Sequence, residues 1–168
     1  MSAIATAIVN EAVKHLRVRE IGGNNRGPDV EAFLKYTGHA PGQPWCAAWV
    51  SWVVTRAIEA TGSQLIKPKT ARAFAFEQWG LRNHLPVISG AGLVARDFID
   101  PGDIIVFGFS HVGIALSSSS AGATVHTIEG NTGPGSARRD SKGMKAADGV
   151  YEMHRARSLI RSIIHLPN

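Results

Sequence analysis

The sequence predicts an α+β fold in which N-terminal helices pack on a central antiparallel sheet. The chain has 168 residues, of which 44% are hydrophobic and 18% charged, enough for one domain over residues 1–168 with its own core. Apolar residues recur at helical spacing before Gly80, whereas short runs rich in Val and Ile follow it. Helices segregated from strands in this way are typical of α+β domains.

Four helices are predicted in the first half of the chain. The first is indicated by apolar residues at helical spacing: Ile4, Ile8, Ala12 and Leu16. Pro28 suits the first turn of the second helix. The third can begin at Pro44 and should stop at Thr61 and Gly62; because it is apolar nearly all round, we expect it in the centre of the domain. A shorter fourth helix should end at Gly80.

The second half predicts strands joined by turns. The strand segments are "PGDIIVFG", "SHVGIALS", "ATVHTIEG", "GVYEMHR" and "SLIRSIIHL", separated by Gly, Pro, Ser and Asp. "LSSSSAGA" reads as a hairpin loop. No internal repeat is evident, and the pattern favours a small open barrel or a helix-packed sheet.

Several classes of protein are excluded by composition. No window approaches the roughly 18 consecutive apolar residues that a membrane span needs. The N-terminus has no basic residue before Lys14 and is interrupted by Glu11, so it does not resemble a secretory signal. We therefore expect synthesis in the cytoplasm, with help needed to reach an outside target. A single cysteine, Cys46, permits neither an intramolecular disulfide nor a Cys-based zinc cluster.

The charge balance favours anionic partners. The net charge is +5, and the stretch between Ala137 and Arg161 contains seven Lys and Arg residues but only three Asp and Glu residues. Such a surface suits nucleic acid, acidic lipid or the acidic polymers of a bacterial wall, although a solvated basic face explains it equally well. No helix-turn-helix, zinc finger or RNP-type strand is recognisable, so nucleic acid is not expected as a partner.

Cys46 lies in "GQPWCAAWVSWVV", close to the predicted start of the third helix. A buried free cysteine is usually a small packing residue, and this remains one interpretation. The other is a nucleophile, because the positive end of a helix dipole favours thiolate. A nucleophilic cysteine also requires a base, usually histidine, held by a third polar group.

His111 and Glu129 are the candidate partners of the cysteine. His111 opens an otherwise apolar strand. His126 reads as a sheet-face residue, and the other five histidines lack an apolar-strand context and are assigned to surface or packing. Glu129 ends the strand in "TIEGNTG", where it can fix the tautomer of the imidazole. Asn131 follows two residues later, on the same face of a regular strand, and can share that role.

Taken in order, "GQPWCAAWVSWVV", "PGDIIVFG", "SHVGIAL" and "HTIEGNTG" resemble the CHAP family of cysteine peptidases and amidases. This family belongs to the NlpC/P60 group of papain-like enzymes that cut bacterial peptidoglycan, and the resemblance extends over about residues 10–155. It implies Cys46 as nucleophile, His111 as general base, Glu129 as orienting acid and Asn131 as supporting amide. It also implies a papain-like fold with the catalytic cysteine at the N-terminus of the central helix.

The resemblance implies hydrolysis of an amide in the peptide part of peptidoglycan through a thioester on Cys46. The backbone N–H of Cys46 and the side chain of Gln43 are candidate oxyanion donors. Trp45 is expected either to line the substrate groove or to pack in the core, and Ser110 is a candidate substrate contact. No cofactor is expected.

Some members of the family bind calcium in an Asp-rich loop before the cysteine. The corresponding region here offers only a sparse and amide-rich set of oxygen ligands: Asn24, Asn25, Asp29 and Glu31. We therefore predict no metal site.

The resemblance leaves the bond and the biological setting open. An N-acetylmuramoyl-L-alanine amidase and an endopeptidase need the same residues. A phage lysin and an antibacterial effector with a cognate immunity protein both fit, and we expect a monomer in either setting. The basic C-terminal region would then help to hold the wall. The rival interpretations are a non-catalytic basic module that binds the wall, and a papain-like amidohydrolase with a non-wall substrate.

Overall fold

The computed structural model has the predicted α+β architecture. It describes residues 1–92, 98–117, 123–133 and 147–167. Within these ranges the helices are α1 (Ala3–Lys14), α2 (Pro28–Tyr36), α3 (Cys46–Thr61) and α4 (Ala75–Arg82). The strands are β1 (Val87–Ser89), β2 (Ile104–Phe107), β3 (His111–Ala115), β4 (Thr124–Thr132), β5 (Gly149–Ala156) and β6 (Ile160–Ile164). No helix of the described part is long and apolar enough to cross a membrane.

The helix boundaries follow the local signals in part: α4 was predicted to end at Gly80 but continues to Arg82. Pro28 occupies the first helical position of α2, as predicted. Gly62 ends α3 in the left-handed conformation, with φ of 66°, which glycine adopts without the steric cost of a Cβ atom. The start of α3 was predicted too early, because the helix begins at Cys46 rather than at Pro44. This shift makes Cys46 the first residue of the helix.

The six strands form one open antiparallel sheet in the order β1-β6-β2-β3-β4-β5. Each of the five predicted strand segments overlaps one of the strands β2 to β6, although β4 and β5 extend past their segments to Thr132 and Ala156. The short edge strand β1 was missed; it pairs with β6 through Val87 and Ile164. The predicted loop "LSSSSAGA" falls largely on residues 118–122, and much of the basic stretch falls on 134–146, all outside the described residues.

Both faces of the sheet are buried at its central strands β2 and β3, and successive side chains of β2 pack on opposite faces. Ile104 and Val106 belong to the main core beneath the helices, whereas Ile105 and Phe107 belong to a smaller cluster. The central position predicted for α3 is confirmed, since the helix packs against α1, α2, β3 and β4. Trp49 on this helix is completely buried.

A buried hydroxyl on α3 holds the segment that leads into α4. Ser51 is fully buried; its Oγ donates to the carbonyl oxygen of Thr70 at 2.8 Å and accepts from the Thr70 N–H at 3.2 Å. The Arg72 N–H in turn donates to Oγ1 of Thr70 at 3.1 Å. The backbone at 70–72 is therefore fixed relative to α3, the helix that carries Cys46.

Replacing Ser51 by Ala is expected to lower the free energy of unfolding by about 1–3 kcal/mol, because two backbone groups of Thr70 lose their partner. Urea denaturation of both proteins measures this difference. Ser89→Ala, at an exposed position in β1, is the matched control and should change stability by less than about 0.5 kcal/mol. Equal stabilities for Ser51→Ala and wild type would contradict the assigned role.

Candidate active site

Cys46 is fixed by the turn that precedes α3. The side-chain nitrogen of Asn25 donates to the carbonyl oxygen of Gly42 at 3.2 Å, and the Gly42 N–H donates to the Asn25 carbonyl oxygen at 3.1 Å. Gly42 has φ of 89°, a left-handed conformation that favours glycine. Nearer the thiol, Trp45 donates through Nε1 to the Glu20 carboxylate at 2.9 Å. Cys46 is thereby held at the helix tip, with 6% of its surface exposed.

The first turn of α3 has no side-chain cap. Trp45 stands at the N-cap with φ of −125° and makes no capping hydrogen bond. The N–H groups of the first turn therefore keep their ability to bind an anion, and the positive end of the helix dipole lies beside the Cys46 sulfur. This environment is the one that the sequence predicted for a reactive thiol.

His111 is held between the cysteine and an acid. It is the first residue of β3, and its Nε2 lies 2.9 Å from Oε2 of Glu129. The Cys46 side chain lies close enough to the imidazole to help raise its pKa. Because Glu129 occupies Nε2, Nδ1 is the ring nitrogen left for the sulfur. The rings of Phe107 and Phe109 stack on the imidazole with centroid distances of 6.0 and 5.6 Å, which further restrict its rotation.

Glu129 is completely buried and fully engaged. Thr127 donates its hydroxyl to Oε1 at 2.6 Å. Arg155, on β5, donates from Nη2 to Oε2 at 2.6 Å and from Nε to Oε1 at 3.1 Å. With His111, these contacts satisfy a carboxylate that would otherwise be very costly to bury.

Glycine at position 113 leaves room for this acid to lie across β3. A Cβ atom on Gly113 would lie 2.7 Å from Cγ of Glu129 and 3.1 Å from the carbonyl oxygen of Ile128. Since His111 and Gly113 are two residues apart on the strand, they share a face of the sheet. The side chain of Glu129 therefore crosses the space at Gly113 on the face that also carries the imidazole.

His111 and Glu129 carry opposite charges near neutral pH. Burial disfavours the imidazolium, but the hydrogen bonds and negative charges of Cys46 and Glu129 outweigh it and raise the pKa of His111 from 6.5 to about 9. Burial likewise disfavours the Glu129 carboxylate, but hydrogen bonds from His111 and Arg155 dominate and lower its pKa from 4.5 to about 2. Near neutral pH the imidazolium therefore lies between Cys46 and a carboxylate.

A cavity of about 630 Å³ opens at the thiol. The turn before α3 lines one side through His39, Gln43 and Pro44, and Ser110 contributes from the β2–β3 turn. The remaining wall is the segment 71–75, which leads into α4. Cys46 is thus reachable from a pocket large enough for part of a peptide.

Of the other predicted site residues, two line the pocket and one does not contact His111 through a hydrogen bond within the described part of the chain. Gln43 and Ser110 are exposed and line the pocket, and Ser110 has a left-handed φ of 61°. Asn131 makes no hydrogen bond to His111 among the described residues. It has a left-handed φ of 56°, and the register of β4 shifts between Glu129 and Thr132, so the strand alternation that placed it beside Glu129 does not hold.

Trp45 does not line the groove. It is completely buried, stacks on Phe33 with a centroid distance of 6.0 Å and donates to Glu20. A Cβ atom on Gly130 would lie 2.8 Å from the Trp45 ring, which shows how closely this ring packs against β4. The expectation of a substrate contact is corrected here: the residue after Pro44 points its indole into the core.

Sequence reasoning missed Arg155, Thr127 and Phe109. Thr127 could have been found, since it lies two residues before Glu129 on the same face of β4. Arg155 stands in the predicted strand "GVYEMHR", but only the observed pairing of β4 with β5 brings it near Glu129. Phe109 lies in a turn, and no pattern predicts its stacking on His111.

Among the described residues, no group of three or more His, Cys, Asp or Glu side chains could hold a metal ion. Comparison with protein-family models, curated proteins and solved structures finds no match for this chain. The chemistry of the site therefore rests on its geometry: a thiol at a helix tip, an imidazole beside it and a buried acid behind the imidazole.

The stability of the protein should depend on pH through this pair. The contribution of His111 is present below about pH 6.5 and is lost as pH rises through its folded pKa near 9. The contribution of Glu129 is present above about pH 4.5 and is lost as pH falls towards its folded pKa near 2. The stability difference between wild type and Glu129→Gln should therefore be greatest between these limits, at about pH 4.5–6.5.

Urea denaturation across pH 3–10 measures that difference. Glu152→Gln is the matched control, because Glu152 bonds a histidine, His126, at 3.0 Å but is exposed. This variant should follow wild type to within about 1 kcal/mol at every pH. A wild-type curve parallel to that of Glu129→Gln throughout would contradict the ionisation states assigned to the pair.

Arg155→Met should lower the free energy of unfolding by about 3 kcal/mol, because it removes one partner of a buried ion pair. It should also raise the pKa of Glu129, which the hydrogen bond from Arg155 lowers. Denaturation and carboxyl-carbon NMR titration measure the two effects. Arg161→Met is the control: Arg161 pairs with Glu77 at 2.9 Å on the surface, where loss of the pair costs about 1 kcal/mol or less. An unchanged Glu129 titration in Arg155→Met would refute the positioning role.

Proposed function

We propose that this chain is a cysteine hydrolase that cleaves an amide bond in the peptide part of bacterial peptidoglycan. The observation that carries the proposal is the contact of one imidazole, that of His111, with both Cys46 and the buried Glu129 at a pocket. Buried cysteines without catalytic function have no need of an oriented histidine. The resemblance to CHAP enzymes supplies the substrate class, and the net charge of +5 suits an anionic wall.

The reaction begins with attack of the Cys46 thiolate on the carbonyl carbon of the scissile amide. The oxyanion that forms is stabilised by the free N–H groups at the start of α3, with Gln43 as a second candidate donor from the pocket wall. His111 then protonates the leaving amine as the C–N bond breaks, which leaves a thioester on the sulfur. A raised pKa near 9 keeps His111 protonated for this step.

Deacylation reverses the role of the imidazole. His111, now neutral, removes a proton from water, and the hydroxide attacks the thioester carbonyl. The C–S bond breaks, the acid product leaves and the thiolate–imidazolium pair is restored. Glu129 stays ionised throughout, and Arg155 and Thr127 hold it in place, so the imidazole keeps one orientation in both half-reactions.

The test is digestion of purified peptidoglycan by wild type and by Cys46→Ala, with fragments identified by mass spectrometry. Wild type should release fragments that Cys46→Ala does not release, because the variant lacks the nucleophile. Intact stem peptides freed from muramic acid would identify an amidase, and new amines within the stem or cross-bridge an endopeptidase. His111→Ala should lose at least about 100-fold in rate.

Two outcomes would contradict the proposal. Uncleaved sacculi from both proteins, together with wall binding that added salt weakens, would favour the non-catalytic basic module. Cleavage of other peptide amides without cleavage of sacculi would favour a papain-like amidohydrolase with a different substrate. Arg82→Gln, an exposed position on α4, serves as a control for loss of one positive charge and should digest sacculi like wild type.

A further inference from the structure

The pocket beside Cys46 contains one Lys or Arg side chain among the described residues that line it. This residue is Arg72, on the wall formed by the segment 71–75. No Asp or Glu is among those lining residues. The other ionisable group on the walls is His39, whose Nδ1 is held by the backbone oxygen and hydroxyl of Thr37 at 3.0 and 3.1 Å. The pocket therefore presents positive and hydrogen-bond-donating groups next to the thiol.

The guanidinium of Arg72 makes no hydrogen bond or ion pair with the rest of the described chain. Two other cations, Lys67 and Arg161, differ in this respect. Lys67 pairs with Glu59 at 2.8 Å, and Arg161 pairs with Glu77 at 2.9 Å. Arg72 is exposed, so its five N–H donors are available to a ligand in the pocket.

The backbone of Arg72 is nevertheless fixed. Its N–H donates to Oγ1 of Thr70, and Thr70 is bound on both backbone groups by the buried hydroxyl of Ser51. Ser51 lies on α3, the same helix that begins with Cys46. One rigid helix therefore sets the position of both the thiol and the arginine that lines its pocket.

We propose that Arg72 binds a free carboxylate of the substrate next to the scissile amide, which makes the pocket selective for acidic peptides. An arginine fork matches a carboxylate with two parallel hydrogen bonds, and such charge-assisted bonds are about twice as strong as neutral ones. This inference rests on the proposed function, and it adds the recognised group: a stem peptide carries free carboxylates on D-glutamate and on diaminopimelate.

Three muramoyl tetrapeptides test the proposal. The first has the sequence L-Ala-γ-D-Glu-meso-diaminopimelate-D-Ala, and the C-terminus is amidated in all three peptides. The second carries a carboxamide in place of the D-Glu α-carboxylate, and the third a carboxamide in place of the free diaminopimelate carboxylate. For wild type, replacing one of these two carboxylates by a carboxamide should lower kcat/KM by about tenfold. In Arg72→Gln, the same replacement should lower kcat/KM by about twofold or less. Arg72→Lys should recover part of the wild-type difference in kcat/KM between the peptides.

Arg82→Gln, with the same change of charge outside the pocket, should keep the wild-type preference. Equal kcat/KM for all three peptides with wild type, or an unchanged preference in Arg72→Gln, would overturn the carboxylate site. The assay also separates this failure from failure of the proposed function, in which no peptide and no sacculus is cleaved. For that case, calorimetric binding of the same peptides to Cys46→Ala and to Cys46→Ala/Arg72→Gln decides. A tenfold preference that requires Arg72 supports the site, and equal Kd values refute it.

Discussion

The buried carboxylate of Glu129 is the constraint on which the rest of the site depends. A charge with no access to solvent costs several kcal/mol unless ionic and hydrogen-bond partners surround it. Here the partners come from three adjacent strands: His111 from β3, Thr127 from β4 and Arg155 from β5. Because β3, β4 and β5 are neighbours in the sheet, each can place one hydrogen-bond partner beside the carboxylate. A sheet with another order would separate Glu129 from His111 and Arg155.

The same constraint explains features that look unrelated. Gly113 has no side chain because the Glu129 side chain lies across its position. Phe109 stacks on the imidazole, and its ring centroid lies 5.6 Å from the guanidinium carbon of Arg155, so one aromatic ring lies beside two of the three partners of the acid. The hairpin turn that carries it contains a left-handed Ser110. Backbone strain of this kind is found where surrounding contacts fix a functional side chain.

The helix α3 joins this network to the pocket. Its first residue meets the imidazole, and Ser51 on the same helix holds the backbone next to Arg72. The Trp-rich face that follows Cys46 packs against the sheet through Trp49. The apolar part of the helix thus anchors its polar tip, so core packing, together with the preceding turn, sets the position of the thiol relative to His111 and Arg72.

The sequence by itself determined the four helices and five of the six strands. Pro28, Gly62 and the Val- and Ile-rich run of β2 are local signals, because backbone sterics and strand propensity act on neighbours in the chain. Local signals also nominated Cys46, His111 and Glu129. Only the tertiary structure decided that the side chains of His111 and Glu129 lie 2.9 Å apart and that Arg155 donates to the same carboxylate. It also decided that Asn131 lies at a shift in the register of β4, where it makes no hydrogen bond to His111 among the described residues. These facts depend on which strands pair and where one bulges, and that is set by burial across the whole sheet, which no short stretch of sequence encodes.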